Sequence, residues 1–209
     1  MSISGDQNLI SRFIWDRNGL IDMRVLAISG SPLKNGNTSR LINAITSELE
    51  KSGVTDLKIK TISLAGSTIR PCKSCRKCIK EGHCVLKSDD FSRFARQMKK
   101  SDLIIIGSPV YFHDVNGPVK NMIDRSYSLW HKRQLKGKKV IPVAVCADSG
   151  DDRALETLKI WAQAQEMKII RTVSGHGYKA GEVLKDQSAI GQVKDAIKTI
   201  AGDVSPKET

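Results

Sequence analysis

The sequence predicts one α/β domain in which helices cover both faces of a parallel β-sheet. Short apolar runs such as residues 103–106 alternate with longer stretches in which apolar residues recur every three or four positions. The runs are typical of buried parallel strands, and the longer stretches are typical of amphipathic helices. The 209 residues, 40% hydrophobic but only 5% aromatic, suit one such domain and argue against a β-sandwich.

Five strands separated by helices are expected. The strands are placed at residues 24–28, 57–64, 103–106, 140–145 and 169–173. The helices are placed after strand one, with Leu41, Ile42, Ile45 and Leu49 on one face, and at residues 91–98, 116–127, 151–167 and 187–200. This alternation predicts a doubly wound five-stranded parallel sheet of flavodoxin-like order 2-1-3-4-5. Ligands of such sheets bind beyond the carboxyl ends of the strands, at the point flanked by strands one and three.

The two ends of the chain differ in composition from the domain. Residues 1–22 are interpreted as an N-terminal extension, residues 23–201 as the domain and residues 202–209 as a flexible tail. No apolar run reaches the roughly 18 residues of a membrane span, and Asp16 and Arg17 interrupt the apolar core that a secretory signal needs. We therefore expect a cytoplasmic protein whose five cysteines are not paired as disulfides.

The loop after strand one has the composition of a phosphate-binding loop. Residues 29–39 read Ser-Gly-Ser-Pro-Leu-Lys-Asn-Gly-Asn-Thr-Ser, and a helix begins near Asn37 or Thr38. Small residues let a ligand approach the backbone, and the free N–H groups of a helix start attract a phosphate. The loop lacks the patterns of dinucleotide and triphosphate sites, so a monophosphate fits best. The alternative is an ordinary turn before a capped helix.

An apolar, aromatic loop follows strand three. Residues 108–113 read Ser-Pro-Val-Tyr-Phe-His, which is unusual for a turn that faces solvent. Such a loop suits the lining of a planar ring such as an isoalloxazine, although Tyr111 and Phe112 can alternatively pack against the next helix. The neighbouring phosphate loop favours the flavin interpretation. No catalytic role is assigned to His113 or His176, and Cys146 is expected to be a buried structural thiol.

These segments resemble those of NADPH-dependent FMN reductases over roughly residues 23–200. The resemblance rests on residues 28–32, 36–38 and 108–111, and on Lys120, Asp124 and Arg125 of the next helix. It implies an FMN whose phosphate is held by the loop that starts at Ser29, through Ser31, Asn37, Thr38 and Ser39. It implies ring contacts from Pro109, Val110, Tyr111, Phe112, Asp148, Ser149 and Gly150. Many relatives carry arginine where this chain has Leu33, and we expect Lys34 to replace it as counter-charge.

Four of the five cysteines form a compact loop after strand two. Within the segment 70–90, Cys72, Cys75, Cys78 and Cys84 have the spacing C-x2-C-x2-C-x5-C. Successive x2 spacings favour a 4Fe–4S cluster, as in bacterial ferredoxins. A structural zinc site, with four thiolates or with three and His83, is a second interpretation, although zinc sites more often join two separate C-x2-C pairs. Redox thiols without metal are the third.

The cysteine spacing and the Asp89–Asp90 pair resemble iron–sulfur flavoproteins, a branch of the FMN reductase group. That resemblance implies a 4Fe–4S cluster near a subunit interface of a homodimer or homotetramer. We therefore predict an FMN- and 4Fe–4S-containing electron-transfer oxidoreductase that passes electrons from a donor such as ferredoxin through the cluster to FMN and a small acceptor. The alternatives are an NAD(P)H-dependent FMN or quinone reductase with zinc or free thiols in the loop, and a non-enzymatic flavodoxin-like carrier.

The chain is strongly basic, with a formal net charge of +12 and a pI of about 9.6. This favours acidic partners, but no nucleic-acid-binding motif accompanies the charge, so nucleic acid is not expected as a partner. The cysteine loop carries a basic rim, which consists of Arg70, Lys73, Arg76, Lys77 and Lys80. Such cations would stabilise a reduced, anionic cluster and would suit the docking of an acidic ferredoxin. Ordinary solvated lysines are the alternative.

Overall fold

The computed structural model describes residues 23–54 and 56–202. The strands are β1 (Met23–Ser29), β2 (Leu57–Ser63), β3 (Leu103–Tyr111), β4 (Asp114–Val115), β5 (Lys139–Cys146), β6 (Lys168–Ile169) and β7 (Val173–His176). The helices are α1 (Asn37–Glu50), α2 (Lys77–Glu81), α3 (Phe91–Lys100), α4 (Gly117–Arg125), α5 (Tyr127–Trp130), α6 (Asp151–Ala164) and α7 (Gln187–Gly202), with a 3₁₀ helix at Glu182–Lys185. The predicted extension and residues 203–209 of the predicted tail lie outside the described residues, whereas Gly202, the first residue of that tail, ends α7.

The described strands form one sheet of order β2-β1-β3-β5-β6, in which β7 also pairs with β5 and β4 pairs with β3. This confirms the flavodoxin-like class, but the expected count of five strands is wrong. One added strand is β4, which is antiparallel to β3. The other arises because the predicted fifth strand is split into β6 and β7. Here β5 advances three residues from Val140 to Val143 while the edge strand advances four, from Ile169 to Val173, so one extra residue interrupts the pairing as a bulge does.

Each face of the sheet carries its own apolar core. Helices α1 and α7 cover one face, where Leu41 is fully buried as predicted, and α3, α4 and α6 cover the other, where Phe94 and Leu158 are fully buried. Along β3, Ile104 faces one core and Ile105 the other. This explains the continuous apolar runs, because such strands are buried on both sides. None of the described helices is long and apolar enough to cross a membrane.

The carboxyl ends of β1, β3 and β5 meet at one edge of the fold. Ser29, the last residue of β1, is in register with Gly107 of β3, and Pro109 of β3 is in register with Val145 of β5. The loops that follow these three strands therefore converge, as the strand order requires. This edge, with the cysteine loop between β2 and α3, contains the predicted site residues.

Candidate functional site

A close backbone contact forms the floor between the loops after β1 and β3. The Gly30 N–H donates to the Gly107 carbonyl at 2.7 Å. A Cβ on Gly30 would lie 2.3 Å from Cγ2 of Val119, so a larger residue does not fit there. Asn116 locks the contact, because its Nδ2 donates to the Gly30 carbonyl at 2.6 Å while its Oδ1 accepts the Val119 N–H at 3.3 Å. The sequence indicated Asn116 only as a helix start.

The amino end of α1 directs free N–H groups into the loop after β1. The preceding residue, Gly36, is extended, and no side chain caps the helix. The first helical hydrogen bond runs from the Arg40 N–H to the Gly36 carbonyl at 3.0 Å, so the N–H groups of residues 37–39 are left for a ligand. No acidic residue lies in this first turn. An anion is the natural partner of such a helix end.

Three buried serines preform this loop. Ser29, Ser31 and Ser39 are 1%, 4% and 6% exposed, and the hydroxyls of Ser29 and Ser39 lie 2.7 Å apart. The Ser31 hydroxyl accepts the Leu33 N–H at 3.1 Å. A Cβ on Gly36 would lie 2.6 Å from that hydroxyl oxygen. The loop is therefore held by its own short contacts, with little room for larger side chains.

The remaining predicted phosphate contacts occupy different environments. Thr38 is buried in the first turn of α1, and Lys34 is exposed on the loop. The Asn37 side chain is engaged elsewhere, since its Nδ2 donates to the carbonyls of Gly177 and Lys179 at 2.8 and 3.0 Å, and its Oδ1 accepts the Gly181 N–H at 2.7 Å. Asn37 therefore offers the phosphate site its backbone N–H, while its side chain ties down the loop after β7.

The aromatic loop is a two-residue hairpin turn that projects from the sheet. Tyr111 of β3 pairs with Asp114 of β4, and between them Phe112 and His113 have φ angles of 48° and 61°. Tight hairpins require this left-handed geometry. Tyr111 is 53% exposed and Phe112 is 102% exposed, so these rings do not pack against the next helix. An apolar surface beside the phosphate loop is therefore open to a planar ligand.

The loop after β5 closes the site from the other side. Gly150 is buried with a φ of 92°, and a Cβ there would lie 2.7 Å from the Cα of His113. The loop therefore touches the hairpin. The structure brings both groups of predicted ring contacts to one edge of the fold. The first group consists of the half-buried Pro109 and Val110 and the exposed Tyr111 and Phe112. The second consists of the exposed Asp148 and Ser149 and the buried Gly150.

The four loop cysteines line one cavity of about 250 Å³. They are Cys72, Cys75, Cys78 and Cys84. Cys72 and Cys75 are exposed, and Cys78 and Cys84 are half-buried. Burial raises the pKa of the Cys78 thiol, and the other three thiols raise it further. The other three thiols are therefore close enough to Cys78 to affect its ionisation.

No three of the four loop sulfurs lie as close together as the ligands of a preformed zinc site. A Zn–S bond of about 2.3 Å places the sulfurs of a tetrahedral site roughly 3.8 Å apart. Within residues 23–54 and 56–202, three ligand atoms of His, Cys, Asp or Glu lie within 4.8 Å of one another in one place. That place is outside the cysteine loop. A larger group such as a 4Fe–4S cluster fits thiols that face one cavity without touching.

A buried ion pair fastens the cysteine loop to α4. Arg125, the last residue of α4, pairs with Asp89, and the two side chains are 0% and 1% exposed. The same guanidinium donates to the Leu86 carbonyl at 3.0 Å and to the Arg70 carbonyl at 3.4 Å. It also donates to the Cys84 sulfur at 3.4 Å. A fixed positive charge thus lies against one candidate cluster ligand.

The Asp89–Asp90 pair closes the base of the cysteine loop. Asp89 accepts the Arg70 N–H at 2.9 Å, and Asp90 accepts the Thr68 N–H at 2.9 Å. Burial alone raises the pKa of Asp89, but the Arg70 N–H and the Arg125 guanidinium outweigh that effect and hold the pKa below its usual range. The sequence matched these aspartates to a family without showing what they bind.

Cys146 is buried as predicted, but polar side chains surround it. Its Sγ lies 3.6 Å from Oδ1 of Asp151, and Nε2 of His176 lies 3.8 Å from the same oxygen. Burial, together with the Asp151 carboxylate, raises the pKa of Cys146 to about 11. The thiol is therefore protonated at neutral pH and is not by itself a reactive nucleophile.

The fold and these loops define a flavodoxin-like, flavin-dependent oxidoreductase. A family model described as NADPH-dependent FMN reductase matches residues 23–179. Two iron–sulfur flavoproteins of Archaeoglobus fulgidus are 32% and 34% identical to the chain over 178 and 194 residues, which are 81% and 85% of this chain and 77% and 94% of the relatives. The chain belongs to the NADPH-dependent FMN reductase family and, within it, to the iron–sulfur flavoproteins.

A solved structure supports the same fold. The apo form of the NADH:FMN oxidoreductase EmoB matches with a TM-score of 0.64 over 88% of this chain and 91% of that chain. The two sequences are only 19% identical, so the likeness concerns the architecture alone.

Proposed function

We propose that the protein is a cytoplasmic electron-transfer oxidoreductase with FMN at the sheet edge and a 4Fe–4S cluster in the cysteine loop. Its donor is an acidic electron-transfer protein such as ferredoxin, and its acceptor is a small molecule. When bound, FMN supplies conversion between one- and two-electron chemistry, and the cluster supplies one-electron chemistry. The chain's own residues bind, orient and electrostatically stabilise these groups.

The residues at the sheet edge fit FMN. The free N–H groups of residues 37–39 and the hydroxyls of Ser31, Thr38 and Ser39 offer donors to one phosphate, with Lys34 as an exposed counter-charge. The exposed rings of Tyr111 and Phe112 offer apolar cover for an isoalloxazine. A phosphate cradle and an apolar platform on adjacent loops match a ligand that has one phosphate and one planar ring system.

The cysteine loop fits a cluster of negative charge. Its thiols line a common cavity, and Arg125 places a buried guanidinium 3.4 Å from the Cys84 sulfur. Hydrogen bonds to sulfur and nearby cations stabilise the more reduced, more negative state of a thiolate-bound cluster and raise its potential. Arg125 and the basic rim would therefore favour acceptance of an electron.

One observation carries this proposal, namely that α4 connects the two sites. Asn116, which precedes the helix, braces the flavin-site floor, and Arg125, which ends it, contacts Cys84. With a rise of about 1.5 Å per residue, the nine residues of α4 span roughly 14 Å. The two groups would therefore lie at opposite ends of one rigid helix, which suits electron exchange between them.

Exposed residues around the cysteine loop support the proposed partners. All five side chains of the basic rim are exposed, so the rim can attract an acidic protein, with an attraction that weakens as salt increases. Nearby, Tyr127 and Trp130 are 45% and 46% exposed and stack with centroids 5.8 Å apart. Exposed aromatic surface beside the cavity suits a contact between subunits of a homodimer or homotetramer.

Anaerobic purification followed by an absorption spectrum and metal analysis tests the proposal. We expect flavin bands above a broad iron–sulfur shoulder, with about four iron atoms and four sulfides per chain. Cys84→Ser should lose most of the iron and retain FMN, while Cys146→Ser, which alters the cysteine outside the loop, should retain both.

Two results would overturn the assignment. One is iron-free protein whose bound zinc disappears in Cys84→Ser, which would identify a zinc loop. The other is protein that binds no flavin after reconstitution. Rapid reduction by NAD(P)H in the absence of iron would favour the alternative NAD(P)H-dependent reductase.

A further inference from the structure

Three metal-ligand side chains converge at the sheet edge outside the cysteine loop. Cys146 ends β5 and His176 ends β7, and the two residues are paired in register. Paired residues of neighbouring strands direct their side chains to the same face of a sheet. Asp151 is the first residue of α6, which packs beside β5 and β7. A thiol, an imidazole and a carboxylate therefore come from three different elements to one point.

The distances within this group match a small metal ion. The three ligand atoms lie within 4.8 Å of one another, with Asp151 Oδ1 3.6 Å from the Cys146 sulfur and 3.8 Å from Nε2 of His176. Bonds of about 2.3 Å to sulfur and about 2.0–2.2 Å to nitrogen and oxygen separate tetrahedral ligands by roughly 3.4–3.6 Å. The two distances from the Asp151 oxygen are within a few tenths of an ångström of these values, and the Cys146 sulfur and the His176 nitrogen lie no more than 4.8 Å apart.

Asp186 independently orients the histidine toward this point. Its Oδ2 lies 3.4 Å from Nδ1 of His176 and accepts the His176 backbone N–H at 2.9 Å. Its Oδ1 accepts the Ala189 N–H at 3.1 Å, which fixes the carboxylate at the start of α7. Metal-binding histidines usually donate their second ring N–H to a carboxylate, which leaves the other nitrogen free for the metal.

We propose that Cys146, Asp151 and His176 bind one divalent transition-metal ion, for which Zn²⁺ is the best match, with Asp186 as the positioning residue for His176. Sulfur, nitrogen and oxygen donors together suit Zn²⁺, and soft thiolate excludes Mg²⁺ and Ca²⁺ as natural occupants. Binding forms a metal–sulfur bond and releases the thiol proton to solvent. Three protein ligands leave a fourth position for water or a substrate atom.

A cobalt titration tests this site directly. The chain has five cysteines, so replacement of the four loop cysteines by serine leaves Cys146 as the one remaining thiol. Co²⁺ added to this variant should give a sulfur-to-cobalt charge-transfer band that saturates at one ion per chain and that Zn²⁺ displaces. The reference spectrum comes from the same variant carrying Cys146→Ser.

Further substitutions assign the ligands. Asp151→Asn and His176→Gln should abolish the band at the cobalt concentration that saturates the parent, and Asp186→Asn should weaken affinity about 10–100-fold. Asp152→Asn is the matched control, because Asp152 is exposed in the same helical turn, and it should leave the titration unchanged. Absence of the band, or its persistence in both ligand variants, would overturn the proposal.

A measurement on the full protein covers the case in which the four-serine variant does not fold. Zinc and iron are counted in anaerobically purified chain and in its Cys146→Ser variant after equilibration with Zn²⁺. We expect one zinc fewer per chain in the variant and equal iron. Equal zinc in the two proteins would refute the site, and the iron count reports separately on the cysteine loop.

Discussion

The flavin site and the cysteine loop are held in place by different means. Around the proposed flavin site, Gly30, Ser31 and Gly36 are buried, and the Gly30 N–H is bonded to the Gly107 carbonyl of β3. Most of the cysteine loop is exposed, and the buried pair of Arg125 and Asp89 links it to the domain. The first site is built on the ends of the strands and on tightly packed loop backbone, whereas the second is fastened to the domain by a buried ion pair.

This difference shows where each site is vulnerable. A backbone-built site fails when a side chain is added, because the close approach leaves no room. A site held by a buried ion pair fails when one partner is removed, because the other charge is then buried alone. The predictions below separate these two modes of failure.

The largest effect is expected for Arg125→Met. It leaves the Asp89 carboxylate buried without its partner, which should destabilise the chain by about 3–5 kcal/mol. The free energy of unfolding, measured by denaturant titration, and the iron content should both fall. The FMN content should be affected less. The matched control is Arg93→Met, because Arg93 pairs with Asp90 at 3.8 Å with side chains 52% and 37% exposed, and such a pair contributes about 0–1 kcal/mol. Equal losses in the two variants would contradict the role of burial.

The pH dependence of stability tests the same buried ion pair. The pKa of Asp89 is held below its usual range, so its charge stabilises the fold above the unfolded pKa of about 3.9, and that contribution is lost as pH falls through the folded pKa. The stability difference between the parent and Asp89→Asn should therefore be constant near neutral pH and shrink below about pH 4. Guanidinium unfolding of the metal-free chain measures this difference. A gap that widens in acid would be inconsistent with a lowered pKa.

Gly30→Ala tests the backbone-built site. The new methyl group would lie 2.3 Å from Val119 Cγ2 and 2.7 Å from the Gly107 carbonyl oxygen, so we expect a loss of about 1–3 kcal/mol together with weaker FMN binding. Gly191→Ala is the control, because nothing lies within 4 Å of its Cβ position in α7, and it should stabilise the helix by about 0.5–1 kcal/mol. Thermal unfolding and FMN titration report the two effects.

The smallest effect is expected for Lys34→Ala. Lys34 is exposed near the amino end of α1, so its removal should weaken FMN binding by about 0.3–1 kcal/mol, or roughly two- to fivefold. Because the charge is exposed, the effect should decrease at high salt. Lys51→Ala, at the opposite end of α1, should leave FMN affinity unchanged. A salt-independent loss in fluorescence titrations would point to a direct structural role for Lys34 instead.

The sequence predicted features that are encoded locally. Buried strands such as β3 and β5 appear as continuous apolar runs, and the cysteine spacing is visible without a structure. The loops after β1 and β3 were assigned to one site because the strand order brings them together. These expectations depend on neighbouring residues and on a general rule of topology.

The missed features depend on contacts between distant residues. The Asn37 side chain binds a loop that begins 140 residues later, and Arg125 finds Asp89 across 36 residues. The strand β4 has two residues, which is too short for any periodic pattern. The edge strand is split into β6 and β7 because it has one more residue than the paired part of β5. This extra residue can be recognised only when the two strands are aligned by their pairing.

The two outer strands of the sheet also limit how copies of the chain can associate. The bulge between β6 and β7 breaks the row of backbone groups at one margin, and at the other margin β2 carries the exposed Lys58 and Lys60. Interrupted hydrogen-bond ladders and edge lysines both disfavour the pairing of an edge strand with a strand of another molecule. Both margins of the sheet are thereby protected against edge-to-edge aggregation.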